Sequence, residues 1–184
     1  MTRARENTKV ALAKPESMSV WQPSASLSLL EARATLLNKI RSFFASRQVL
    51  EVETPILAGS VISESNIELF EIHAEPTKYL QSSPESAMKK LLCAGSGPIF
   101  QIAKVFRKHE FGKHHNPEFS ILEWYRPGYD YHQLMIEVFE LVRDCLGIHT
   151  MEKTSYRKLF LDVLQVDPFI ASDSELQFLA ASYL

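Results

Sequence analysis

Residues 99–127, IFQIAKVFRKHEFGKHHNPEFSILEWYRP, limit what this chain can fold into more tightly than any other stretch. Ile99 to Phe106 is apolar enough for a strand, and Phe119 to Tyr125 alternates in side-chain chemistry, so the two read as paired strands. Between them runs a polar, cationic loop carrying Arg107, Lys108, His109, Lys113, His114 and His115, and Asn116-Pro117 turns the chain back. A loop of this kind can wrap a polyphosphate. The Arg fork spans two phosphoryl oxygens, while lysines and histidines add charge and donors around it. A solvated hairpin with a basic tip has the same composition.

Alternation sharpens the reading of the second strand. Successive side chains point to opposite faces, so Phe119, Ile121, Glu123 and Tyr125 share one. That face offers a ring able to stack on a base, a carboxylate and a phenol. A carboxylate in mid-strand needs a cation or a donor beside it, and an ammonium-bearing substrate would supply one.

This stretch resembles motif 2 of the class II aminoacyl-tRNA synthetases, whose pattern is Phe-Arg-x-Glu, a loop, then His-Asn-Pro-Glu-Phe and an acidic-aromatic strand. The run His115-Asn116-Pro117-Glu118-Phe119, followed by Glu123-Trp124-Tyr125-Arg126-Pro127, is similar to the lysyl-tRNA synthetase group. It is most similar to the elongation factor P lysine ligases, paralogues of that synthetase. Upstream, Leu27 to Arg47 reads as a helix, with Leu30, Leu37, Ile40 and Phe44 at helical spacing and Leu36 and Phe43 widening the stripe. Val49 to Thr54 reads as a strand ending at Pro55. A long helix feeding such a strand resembles motif 1, which builds the dimer interface in that family. Ser83-Pro84-Glu85 is first of all a good helix start, with Ser82 or Ser83 as cap, Pro84 in the first turn and Gly95 as the stop. The resemblance adds a second role, since the matching Ser-Pro-Glu contacts the amino-acid substrate.

The fold so implied is α+β: a class II synthetase-like antiparallel sheet flanked by helices, incomplete at the C-terminus. Residues 1–20 are expected to be a disordered tail, with Met18 a candidate start. Residues 21–184 are expected to be part of the catalytic domain, with motifs 1 and 2 present and motif 3 absent. The implied reaction is adenylation of an amino acid by ATP. Arg107 would be the catalytic clamp on the α-phosphate, with Lys108, His109, Asn116 and Phe119 completing the ATP site. Ser83, Pro84, Glu85, Glu123 and Tyr125 would hold the substrate, lysine or β-lysine. No metal ligand is read from this chain, and Mg²⁺ is expected with ATP on ligands lying further along the family's domain. The implied acceptor is a lysine of elongation factor P rather than tRNA, because only a short stretch precedes motif 1. A piece of a lysyl-tRNA synthetase and a non-catalytic dimerising relic are the rival readings.

One motif residue departs from the family. Glu is expected two positions after the Arg, and His109 stands there with Glu110 next. Strand alternation lets Glu110 substitute only if the strand end shifts register.

Ile67 to Ile72 is a possible strand. Asp130 should open a helix, with Gln133 at the capping-box position, Gly147 as stop and Leu134, Met135, Val138, Leu141 and Val142 as its core face. Shorter helices are expected from Ser155 to Gln165 and from about Ser172–Ser174 onward, the last with the apolar set Leu176, Leu179, Ala180 and Tyr183. With 184 residues, 46% hydrophobic, the chain can bury one core. A net charge of −2 excludes a general nucleic-acid binder. Cys93 and Cys145 stand apart without metal spacing, which fits a cytoplasmic protein, and no apolar run reaches membrane-spanning length.

Overall fold

The computed structural model describes residue 21, residues 23–60, residue 64 and residues 66–183. The tail expected over residues 1–20 lies outside them. Five helices and six strands follow in chain order: α1 (Leu27–Ala45), β1 (Leu50–Glu51), β2 (Leu57–Ala58), β3 (Glu71–Ile72), β4 (Lys78–Leu80), α2 (Glu85–Cys93), β5 (Ile99–Phe106), β6 (Glu118–Tyr125), α3 (Tyr131–Leu146), α4 (Tyr156–Leu164) and α5 (Asp173–Tyr183). The mixture is α+β, as the sequence implies.

β5 and β6 form the antiparallel pair at the centre, in unbroken register from Ile99↔Tyr125 to Phe106↔Glu118. β1 joins the far side of β5 in parallel, giving the order β1-β5-β6. A second sheet, β2-β4-β3, is antiparallel throughout. Gln81 ties the two together. Its N–H donates to Ile56 O, its carbonyl accepts from Phe106 N–H, and its amide nitrogen donates to Lys104 O at 2.9 Å. These bonds account for the burial of so polar a side chain.

One face of the hairpin meets α1 and α3. Phe44 stacks on Phe100 at 4.5 Å between centroids and tilts against Trp124 at 5.5 Å. Phe43, Val49 and Leu141 complete this core, with Ile40, Ile102, Leu122 and Cys145 packed around it. The opposite face carries Ile99, Gln101, Ala103 and Val105 beside Tyr125, Glu123, Ile121 and Phe119. That is the face read from the sequence.

Several expectations need correction. The strand expected over Val49–Thr54 pairs only at Leu50–Glu51, and that over Ile67–Ile72 only at Glu71–Ile72. Leu30 of α1 is exposed, so the buried end of its stripe is Phe43 and Phe44. The N-cap of α2 is Pro84 without a side-chain bond, and the Ser83 hydroxyl instead accepts the N–H of Glu85 at 3.0 Å. Leu134, Met135 and Val138 are not core residues, each being more than a third exposed. α3 is rolled so that Glu137, Leu141 and Cys145 face inward, one i,i+4 row. The cause is polar: the Glu137 carboxylate accepts from Trp124 Nε1 at 3.1 Å and lies 3.2 Å from Arg126 Nε. The capping box of Asp130 and Gln133 and the left-handed Gly147 (φ 71°) are found where expected, and Ser155 caps α4.

Candidate functional site

Two groups of residues meet on the face of the hairpin turned away from α1. At its middle, Glu123 stands opposite Gln101 and accepts two hydroxyl donors. Ser83 Oγ reaches Oε2 at 2.8 Å, and Tyr125 OH reaches Oε1 at 2.6 Å. Because the same Ser83 oxygen accepts the Glu85 N–H, its proton is committed to Glu123. Pro84, fully buried, fixes this turn, and Glu85 opens α2 beside it. Burial raises the Tyr125 phenol pKa well above its ordinary value, and the hydrogen bond and charge of Glu123 add to the rise. Glu85 pairs with Lys89 one turn on, and that carboxylate, assisted by the charge of Glu123, raises the lysine's pKa. The donors beside Glu123 are therefore hydroxyls, and no cation bonds it directly among the described residues. A carboxylate has about four acceptor directions, so Glu123 keeps room for an incoming ammonium. A cavity of about 190 Å³ adjoins this group, lined in part by Tyr79, Ser82, Ser83, Ser86 and Lys90.

The second group lies at the loop end of the same face, about 13 Å away by the strand rise between Phe119 and Glu123. Arg107 follows the last residue of β5, and its N–H donates to Pro117 O at 2.9 Å. Its guanidinium carbon sits 5.1 Å from the Phe119 ring centroid. Its Nη1 lies 3.5 Å from Glu110 Oε1, and its Nε is buried with no hydrogen-bond partner. A buried guanidinium edge without an acceptor is unfavourable unless a ligand oxygen meets it. Arg107 and Phe119 thus stand together, while Asn116 is exposed in the loop.

Lys108 and His109 turn elsewhere. The Lys108 N–H donates to Glu68 O at 2.8 Å, its ammonium pairs with the Glu68 carboxylate, and His109 Nε2 lies 3.2 Å from Glu68 Oε2. The hydrogen bond from Lys108 leads the lowering of the Glu68 pKa, and Glu68 in turn raises that of Lys108. Both residues expected at the nucleotide thus meet a carboxylate that nothing in the sequence marks. No register shift accompanies the arrival of Glu110 at Arg107: the β5–β6 register is intact to its last pair. The turn is made by His109, whose φ of 64° is left-handed. Alternation does not apply there, because residues 108–110 lie beyond the strand.

Comparison with known proteins identifies the family. Residues 13–176 match the family described as tRNA synthetases class II (D, K and N). The chain is 48% identical over 171 residues to the elongation factor P–(R)-β-lysine ligase of Pseudoalteromonas translucida, a match covering 89% of this chain and 53% of that protein. It is 46% identical over 170 residues to the ligase of the same name from Photorhabdus laumondii, with coverages of 88% and 52%. The ligase from Salmonella typhi is 45% identical over 170 residues, with coverages of 89% and 52%. The chain spans about half the length of these curated relatives. A family match across most of its length, joined to relatives at this identity, shows that the chain belongs to the class II tRNA synthetase (D, K and N) family.

Proposed function

We propose that this chain carries the motif 1 and motif 2 part of an ATP-dependent ligase, which activates lysine or (R)-β-lysine and passes it to a lysine of elongation factor P. The supporting observation is a single sheet face with an anion-seeking end, Arg107 over Phe119, and a cation-seeking end, Glu123 with Ser83, Tyr125 and Glu85. The anion-seeking end suits the phosphates of ATP, and the cation-seeking end suits the ammonium groups of the amino acid.

In the first step a carboxylate oxygen of the amino acid bonds to the α-phosphorus of ATP, and the bond to the departing pyrophosphate breaks. In the second, the acceptor's neutral amine attacks the acyl carbon, AMP leaves with the former carboxylate oxygen, and the amine sheds a proton. The chain's own contribution is positioning and charge complementarity. Arg107 meets phosphate oxygens with the guanidinium edge that now has no partner, and Phe119 presents its ring to the base. Asn116 supplies a further donor from the loop. Glu123 and Glu85 hold ammonium groups, and Ser83 and Tyr125 keep the Glu123 carboxylate oriented. Mg²⁺, when bound with ATP, would supply neutralisation of phosphate charge. Among the described residues no cluster of three acidic, histidine or cysteine side chains is placed to hold a metal, and no described residue is assigned to it.

The test is Arg107→Ala in a protein of the relatives' full length. ATP–pyrophosphate exchange should fall on the order of 10² to 10³-fold, the loss of one electrostatic clamp. Exchange at the wild-type rate would sink the proposal.

A further inference from the structure

We propose that Glu110 is a positioning residue for Arg107, carried into place by the left-handed backbone at His109. The inference rests on the nucleotide reading of Arg107 above. Arg107 lies just past the end of β5, where no ladder bond aligns its side chain. Two contacts hold it from the hairpin: the Pro117 carbonyl fixes its N–H, and the Phe119 ring supports its guanidinium. Neither sets the rotation of the guanidinium about its long stem. Glu110 does, through a charge contact at 3.5 Å to Nη1, longer than a hydrogen bond but directional toward one nitrogen. Both side chains are about two-thirds to three-quarters shielded, which makes the contact stronger than an open surface pair.

The backbone explains why residue 110 and not 109 fills this place. A φ of 64° at His109 reverses the local direction, and the Phe111 N–H closes on the His109 carbonyl at 3.0 Å. Glu110 is thereby folded back over Arg107, while the His109 ring is sent out to Glu68. Glu68 also takes Lys108, so Arg107 is left as the cation that Glu110 addresses. The contact is made by Nη1, so it leaves Nε, buried and without a protein acceptor, uncommitted.

The experiment is isothermal titration with MgATP of a protein of the relatives' full length and of its Arg107→Ala, Glu110→Ala, Glu110→Asp and Arg107→Ala/Glu110→Ala variants. Glu110→Ala should weaken ATP about fivefold, the size of one partly exposed ion pair. Glu110→Asp should fall between it and wild type. The double variant should lose no more than Arg107→Ala alone, because Glu110 acts through that side chain. A purely structural role would instead lower the unfolding midpoint and add its loss to that of Arg107→Ala. Unchanged or tighter ATP binding by Glu110→Ala, or additive losses in the double variant, would overturn the inference alone. If the wild-type protein binds no ATP, or Arg107→Ala binds it undiminished, the nucleotide reading falls and takes the inference with it.

Discussion

Under the proposed function Glu123 would hold the substrate's ammonium, since its two bonded hydroxyls orient the carboxylate without neutralising it. Glu123→Gln keeps the shape and loses the charge, so it should weaken lysine binding far more than ATP binding. Calorimetry with each ligand decides this, and equal losses would assign Glu123 to the scaffold. Tyr125 makes a second prediction. Its raised pKa means that the folded protein keeps this phenol protonated at a pH where an unfolded chain would have lost the proton. The associated stability is complete below the ordinary tyrosine pKa, near 10, and is lost as pH rises through the folded value. Of the six tyrosines, one should ionise well after the exposed ones in an absorbance titration, and Tyr125→Phe should remove that late step. At this scale the sequence was a good guide wherever alternation along a strand decides the neighbours, as for Phe119, Glu123 and Tyr125. It did not show that Lys108 and His109 meet Glu68 or that Glu110 meets Arg107, because the chain leaves the strand before them and turns at the left-handed His109.

The ends of α3 were equally legible. Capping is written in residues three apart, and Asp130, Gln133 and Gly147 do what their types require. The facing of α3 was not legible, since a buried carboxylate outranks its apolar neighbours in setting the roll. Glu137 answers Trp124 and Arg126 at once, and the Arg126 side chain is only 9% exposed. Glu137→Ala would leave that guanidinium without its counter-ion and the indole N–H without its acceptor, a loss of about 3 kcal/mol by analogy with broken buried pairs. Urea unfolding would measure it, and a cost below about 1 kcal/mol, the median worth of a surface pair, would show the network to be peripheral. The strands shrank to two residues for a different reason. Strand length is set by what lies alongside, and β1 and β3 meet their partners only briefly.

For the molecule as a whole, we propose a dimer through α1, motivated by its first turns. Leu27, Leu29 and Leu30 stand 71%, 60% and 49% exposed on a helix whose far end is buried in the core. Apolar surface of that extent favours a partner. Sedimentation velocity should give twice the 21.0 kDa chain mass, and Leu30→Asp should return it to the monomer. A wild-type monomer at all concentrations tested would exclude this interface. Across the described residues no helix is long and apolar enough to cross a membrane.

The bond between Ser83 and Glu123 joins residues 40 apart in the chain, whereas β5 and β6 pair through a short loop. Closing a long loop comes at a higher entropic cost than closing a short one, and folding rates follow. The hairpin can therefore zip early and present Arg107 and Phe119 while the carboxylate pocket is still open. Such a chain would acquire its affinity for anions before its selectivity for an amino acid, and a fault in the late step would leave a protein that holds nucleotide yet accepts the wrong acid.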